Sequence, residues 1–234
     1  MPNANGKLVL IVDDNDSIRS TVRDYLSAKG YSVMDAADGV HGLAMALSEQ
    51  PGVIVLDVVM PGMDGFKVCR SLREKGITTP VIMLTERISI EDKVAGFSQG
   101  VDDYLGKPFN PVELELRIEA LFRRSSVSKT TAEGIIKRGE LVIDPERHRV
   151  TLGDHEVTLT PMEFSILKFL ALNPGHVYSR QNILTAIWDT AYEGYKRNID
   201  PHVNRLRTKI EEDPKNPKYV LTVWGVGYKF NESL

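Results

Sequence analysis

A single cysteine, Cys69, leaves no partner for an internal disulfide and excludes a Cys-rich metal site, as expected of a chain that works in a reducing compartment. The five histidines are scattered, so a His-built metal site is not expected either. Long apolar runs are missing. The longest span five residues, 8–12 and 43–47, far short of the roughly 20 needed to cross a bilayer. The first residues also lack the apolar stretch and small-residue cleavage site of a signal peptide. These absences predict a cytoplasmic protein without membrane contact. Proline (12) and glycine (18) are too few for a collagen-like or low-complexity chain. The 42% hydrophobic and 26% charged residues are ordinary for a globular protein, and 234 residues suit one large or two modest domains.

A strong charge of one sign is absent too. The net charge is −3, distributed as 14 basic and 18 acidic side chains in residues 1–124 and 15 and 14 in residues 125–234. An acidic chain does not attract nucleic acid in bulk, so any such function must rest on a local patch.

What is present changes character near residue 125. Before it, short β-branched runs at 8–12, 31–36, 53–56, 81–84 and 103–105 alternate with helical patterns. That alternation predicts a doubly wound α/β domain, a parallel five-stranded sheet with helices on both faces. The last helix is the clearest, with Leu114, Ile118, Leu121 and Phe122 on one face and Glu113, Arg117 and Arg124 on another. The polar stretch SSVSKTT at 125–131 reads as a linker. Beyond it come alternating runs at 140–143, 149–152 and 156–159, three helical patterns, and a hairpin around Trp224-Gly225-Val226-Gly227. We therefore divide the chain at 1–124, 125–135 and 136–234.

In the first half, chemistry-bearing residues fall at strand ends: Asp13 and Asp14 after the first, Asp57 after the third, Thr85 after the fourth, Lys107 after the fifth. In an open parallel sheet these ends converge on one crevice. Clustered carboxylates repel, and an all-oxygen donor set suits Mg²⁺. Such a site is suited to phosphoryl transfer, with Asp57 as nucleophile because a carboxylate is ionised at neutral pH. Each residue also has a duller reading: the Asp pair as a helix cap, Asp57 opening a turn, Thr85 as a cap, Lys107 as a solvated loop residue. The conjunction of complementary types at successive strand ends favours the site.

VDD at 12–14, LDVVMPGMDG at 56–65, LT at 84–85 and DDYLGKPF at 102–109 together resemble the receiver domain of bacterial response regulators, a flavodoxin-like fold. The resemblance implies that Asp57 takes a phosphoryl group from a sensor histidine kinase. It implies that Asp14, Asp57 and the Val59 carbonyl ligate Mg²⁺ with Asp13 acting through water, and that Lys107, ahead of a cis Pro108, pairs with phosphoryl oxygens. Thr85 and Tyr104 would form the switch, although Tyr104 also fits a core aromatic. Glu86 departs from the pattern, which has a small residue there. Its carboxylate either slows phosphorylation or hydrolysis, or points into solvent.

In the second half, Ile199, Val203, Leu206 and Ile210 form an apolar stripe on a helix whose other side carries Arg197, Pro201, Asn204, Arg205 and Thr208. Arg and Asn on an exposed helix suit major-groove base edges, while a solvated amphipathic helix is the plain alternative. Asn198 or Asp200 would cap it. LTPMEFSILKFLALNPGHVYSRQNIL at 159–184, RNIDPHVNRLRTKIEED at 197–213 and YVLTVWGVGYKF at 219–230 resemble the α+β winged helix-turn-helix domain of the OmpR/PhoB family.

That resemblance implies a recognition helix in double-stranded DNA, a wing at 224–228 on the backbone or minor groove, and a loop at 189–196 facing RNA polymerase. Trp224 stands where many members carry Arg. Pro201 limits base contacts there to apolar ones. The resemblance further implies a homodimer on phosphorylation, joined through the last two helices and fifth strand of the receiver by Lys93 with Glu113 and Asp103 with Arg117. A third pair is lost because its positions hold Ser98 and Glu119. The combined expectation is a phosphorylation-switched transcription regulator. Two competitors are a Mg²⁺-dependent phosphohydrolase of the haloacid-dehalogenase type, which would want an Asp at Val59, and a receiver working without phosphorylation, for which Glu86 is the hint.

Overall fold

The computed structural model describes residues 7–86, 100–126, 134–187 and 198–234. The chain forms two compact units, Met1–Arg123 and Arg124–Leu234.

In the first unit, β1 (Leu8–Val12), β2 (Ser32–Ala36), β3 (Val53–Asp57), β4 (Val81–Thr85) and β5 (Asp103–Gly106) make one parallel sheet in the order β2-β1-β3-β4-β5. Alternate residues of β1, β3 and β4 feed two cores. Leu10, Val12, Ile54, Leu56 and Met83 pack with α2 (Gly39–Glu49) and α3 (Gly65–Glu74). Val9, Ile11, Val55, Ile82 and Leu84 pack with α1 (Asp16–Ala28) and α4 (Pro111–Ser126). Burial on both faces is why these strands read as unbroken apolar runs and not as alternation. The helix expected between the fourth and fifth strands lies outside the described residues, as do Lys93 and Ser98.

Helix starts are marked by short polar caps: Asn15 for α1, Asp38 for α2 and Asp64 for α3, each accepting backbone N–H groups of the first turn. The amide of Asn15, and not the acids before it, caps α1. Asp13 and Asp14 are thereby left for other work.

The second unit opens with an antiparallel sheet of β6 (Ile136–Arg138), β7 (Leu141–Asp144), β8 (Arg149–Leu152) and β9 (His155–Glu156). Then come α5 (Pro161–Leu172), α6 (Arg180–Ile187) and α7 (Asp200–Ile210). The unit closes on a three-stranded sheet in which β10 (Tyr178–Ser179) pairs with the hairpin of β11 (Val220–Val223) and β12 (Gly227–Phe230). Helices packed beside a terminal hairpin make a winged helix. One strand expectation needs correction: the run at 156–159 leaves the ladder after Val157, whose N–H still donates to the Val150 carbonyl at 2.8 Å, because Thr160 becomes the N-cap of α5 in a capping box with Glu163.

Candidate functional site

The parallel sheet delivers Asp57 as the last residue of β3 and Thr85 as the last of β4, while Asp13 and Asp14 follow β1 directly. One carboxylate oxygen from each of Asp13, Asp14 and Asp57 lies within 4.8 Å of the others. The Lys107 ammonium stands 2.7 Å from Asp13 Oδ2 and 3.0 Å from Asp57 Oδ1. Lys107 is fixed by its own N–H, which donates to the Thr85 carbonyl at 2.7 Å, and it precedes a cis peptide bond to Pro108. Four of the five residues expected from the strand ends therefore meet in one crevice, and Thr85 adjoins it through its backbone carbonyl.

Asp13 and Asp57 are buried while Asp14 is exposed. Burial pushes the Asp57 carboxyl above its ordinary value, against the pull of Lys107. Burial alone would lower the Lys107 ammonium, but hydrogen bonds and attraction from Asp13 and Asp57 outweigh it and raise it. Three carboxylates against one ammonium leave two negative charges uncompensated. Among the described residues, Asp13 Oδ2 is buried without an aligned hydrogen bond, beside the Lys107 ammonium. An under-satisfied buried oxygen among oxygen-only donors is what a hard divalent cation fits.

The backbone beside the acceptor leaves no slack. A Cβ on Gly65 would lie 2.1 Å from the Asp57 carbonyl oxygen, so only glycine lets α3 start this close to β3. Thr85 and Tyr104 are both buried nearby on β4 and β5, whereas the Val59 side chain is exposed. A cavity of about 670 Å³ adjoins Lys107 and is lined by Asn15, Ile18, Glu86, Pro108 and Phe109. Glu86 is both exposed and on that lining, so the two readings of its carboxylate are not exclusive.

Of the charges expected to cross a dimer, Asp103, Glu113 and Arg117 are engaged within this chain, and Lys93 lies outside the described residues. Arg117 is 4% exposed and bridges Asp103 at 2.7 Å and Glu113 at 2.7 Å.

In the second unit the apolar stripe Ile199, Val203, Leu206 and Ile210 is buried as expected. Asn198, Asn204 and Thr208 are exposed and Pro201 is half-buried. Arg197 and the loop at 189–196 lie outside the described residues. The outward placement of Arg205 needs correction. Its side chain is only 12% exposed and turns back to Glu163 Oε1 at 3.5 Å and His202 Nδ1 at 2.7 Å. Buried Glu163 also takes Lys209 Nζ at 2.7 Å, and a carboxylate so placed holds nearby cations strongly. Of the two expected caps, Asn198 takes the role in part and Asp200 does not. Asp200 is the first residue of α7, Ile199 precedes it without a side-chain cap, and Asn198 Oδ1 accepts the Asp200 N–H at 3.0 Å.

Sequence reasoning passed over the residues that tie α7 to the hairpin. Asp200 Oδ1 accepts from Arg180 Nε at 2.7 Å and from the Tyr228 hydroxyl at 2.8 Å. Arg207 donates to the Val220 carbonyl and to Thr222 Oγ1. Partners 13 to 28 residues apart carry no local signal; only Glu163 did, as the fourth residue of the capping-box pattern. Burial and the hydrogen bond to Asp200 push the Tyr228 phenol up to about 12. A folded value above the free one near 10 means that this stabilisation is complete below about pH 10 and is lost as pH rises towards 12. Tyr228→Phe is expected to remove that alkaline loss from a series of melting curves; an unchanged pH profile would refute the assignment.

Comparison with known proteins agrees with this geometry. The family model "Response regulator receiver domain" matches residues 9–119, and "Transcriptional regulatory protein, C terminal" matches 154–230. The protein is thus a receiver joined to a DNA-binding regulator. It is 42% identical to the transcriptional regulatory protein ResD of Bacillus subtilis, over 98% of both chains. It is 39% identical, over 97% of both, to that organism's alkaline phosphatase synthesis transcriptional regulatory protein PhoP. The crystal structure of DrrB, a Thermotoga maritima OmpR/PhoB homologue, aligns at 34% identity over 96% of this chain and 99% of its own, with a TM-score of 0.51. The structure of a RitR mutant shares the fold at 24% identity and a TM-score of 0.76, over 97% of this chain and 99% of that one. The chain belongs to the OmpR/PhoB family of two-component response regulators. Its relatives are transcription regulators and not conventional enzymes, which sets the phosphohydrolase reading aside. Among the described residues no helix is long and apolar enough to cross a membrane.

Proposed function

We propose that Asp57 is the phosphoacceptor and that its modification promotes dimerisation and sequence-specific DNA binding. The observation that carries this reading is the convergence of Asp13, Asp14, Asp57 and Lys107 in one crevice at the sheet's carboxyl edge. An Asp57 oxygen bonds to phosphorus as the bond from phosphorus to the kinase histidine breaks, the electron pair leaving with the imidazole. Lys107, already 3.0 Å from Asp57, pairs with the incoming oxygens. Asp13, Asp14, Asp57 and the Val59 carbonyl would hold Mg²⁺, which supplies positive charge to the three equatorial oxygens of the transferring group.

The new dianion accepts a hydrogen bond from the Thr85 hydroxyl, and the space vacated is taken up by the Tyr104 ring, which is already buried and needs only a short shift. In this reading residues 1–124 are the receiver, 125–135 the linker and 136–234 the reader of DNA. Asn198, Pro201, Asn204 and Thr208 face the duplex with Arg197, while Arg205 joins them only by leaving Glu163. Lys93 with Glu113 and Asp103 with Arg117 serve the dimer as cross-subunit pairs, for which Arg117 gives up its intrachain bonds to Asp103 and Glu113, and the loop at 189–196 meets RNA polymerase. The protein acts in the cytoplasm.

Gel shift on duplexes enriched from a random library tests this reading: binding should strengthen when the protein is treated with a small phosphodonor and Mg²⁺. Identical binding before and after treatment would favour regulation without phosphorylation. Glu86 adds bulk and like charge at the cavity beside Lys107. Glu86→Ala is therefore expected to raise the rate of phosphorylation, of hydrolysis, or of both severalfold, measured by intact mass over time, and equal rates would remove Glu86 from the mechanism.

A further inference from the structure

One guanidinium beside the crevice has no part in the phosphorylation reading. α1 buries residues 19, 22 and 26 against the sheet, and two of these, Val22 and Leu26, are ordinary core residues. The third is Arg19, only 9% exposed. Arginine is almost never so buried without partners, and its long stem ordinarily carries the charge out to water. Here it turns inward.

The planar fork is engaged on three sides. Nη1 donates to the Asp13 carbonyl at 2.7 Å, Nη2 donates to Asp16 Oδ1 at 2.8 Å, and Nε lies 3.4 Å from Asp35 Oδ2 on β2. Asp16 and Asp35 offset its charge, so what Arg19 gives the crevice is aim and not charge. The β1 ladder ends at Val12, and the next carbonyl, that of Asp13, takes its hydrogen bond from Arg19 instead of from a strand.

Three holds on Asp13 leave its Oδ2 to the crevice. Its N–H donates to the Ala36 carbonyl at 3.2 Å, its carbonyl accepts from Arg19, and its Oδ1 accepts the Asn15 N–H at 2.9 Å. A fourth contact, Lys107 at 2.7 Å from Oδ2, is the one with which a crevice-bound cation competes. The other three survive such binding. Of them, Arg19 alone acts through a side chain, and a substitution can remove it.

We propose that Arg19 is a positioning residue for phosphoryl acceptance: by seating the Asp13 peptide it directs Oδ2 into the crevice and thereby sets the affinity for a divalent cation. This rests on the reading of the crevice as a Mg²⁺ site. Groups that orient a metal-ligating side chain are typically worth about 10–100-fold in affinity.

The test uses the full chain and Mn²⁺, whose unbound fraction is counted by its electron paramagnetic resonance signal, with Mg²⁺ as competitor. Arg19→Met keeps the stem without a donor and should weaken Mn²⁺ binding about tenfold. In mass-gain kinetics with a small phosphodonor, the same variant should need about tenfold more Mg²⁺ for half-maximal rate, yet reach the wild-type plateau within about twofold. Arg19→Lys keeps the charge, but its ammonium ends one atom short of Nη1. It should lose about as much. Asp35→Asn loosens the contact of α1 with β2 without touching Asp13, and should keep the wild-type affinity.

If Arg19→Met binds Mn²⁺ within about twofold of wild type, the guanidinium only stabilises the fold and the proposal fails. Full affinity in Arg19→Lys would mean that charge suffices, which also overturns it. So would a loss in Asp35→Asn equal to that in Arg19→Met, because Arg19 would then act only by docking α1 to the sheet. Melting temperatures identify any variant that unfolds, and if Arg19→Met does so, Arg19→Lys and Asp35→Asn still decide. If the wild-type chain takes up no Mn²⁺, the reading of the crevice fails first and this proposal falls with it.

Discussion

Asp57→Asn protein incubated with a small phosphodonor and Mg²⁺ is expected to gain no phosphoryl mass, whereas the wild-type chain gains one group. The substitution keeps size and hydrogen-bonding shape but replaces the anionic nucleophile with a neutral amide. It also relieves the burial of one charge beside Asp13, so the variant should fold at least as well as the wild type. Loss of modification without loss of melting temperature is therefore the signature. Mass gain persisting in Asp57→Asn would mean that another residue is the acceptor. Lys107, whose ammonium now spans Asp13 and Asp57, would then be a structural cation only.

A second large effect is expected at Arg117, the cation that bridges Asp103 and Glu113. Removing one member of a buried ion pair costs about 3–5 kcal/mol, because the remaining charge stays buried without compensation. Arg117→Ala should lower receiver stability by that order, read from denaturant unfolding of the full chain. Adding Asp103→Asn should return part of the loss by deleting the stranded charge. A loss under about 1 kcal/mol would show that water reaches the site. The same energetics bear on assembly. A cross-subunit Asp103–Arg117 pair forms only where the intrachain one is given up, so charge exchange alone contributes little to the dimer. For the proposed dimer, the exposed apolar side chains Val112 and Leu116 on α4 are the available source of the rest.

The receiver was legible in the sequence because its strands are buried on both faces, turning 8–12, 53–56 and 81–84 into unmistakable apolar blocks. A parallel sheet then places their ends together without further information, which is why the acidic crevice followed from strand ends alone. The duller capping role for the Asp pair was not resolvable from spacing, since Asn15 stands just as near and takes the role.

In the second unit the α7 stripe was legible, but the direction of Arg205 was not. Helical periodicity fixes where a Cα–Cβ bond points, while a long side chain can fold back toward a charge on another helix, here Glu163 some 42 residues earlier. The two- and three-residue strands β10 and β6 are too short to show any period.

The ties among Asp200, Arg180, Tyr228 and Arg207 make helix and hairpin one caliper with fixed jaws. A caliper measures length before it reads letters. If α7 and the hairpin both touch the duplex, as the winged-helix resemblance implies, inserting a single base pair between the two points shifts one of them by about 3.4 Å, more than a hydrogen bond tolerates. Spacing within the operator should therefore be less forgiving than any one of its bases.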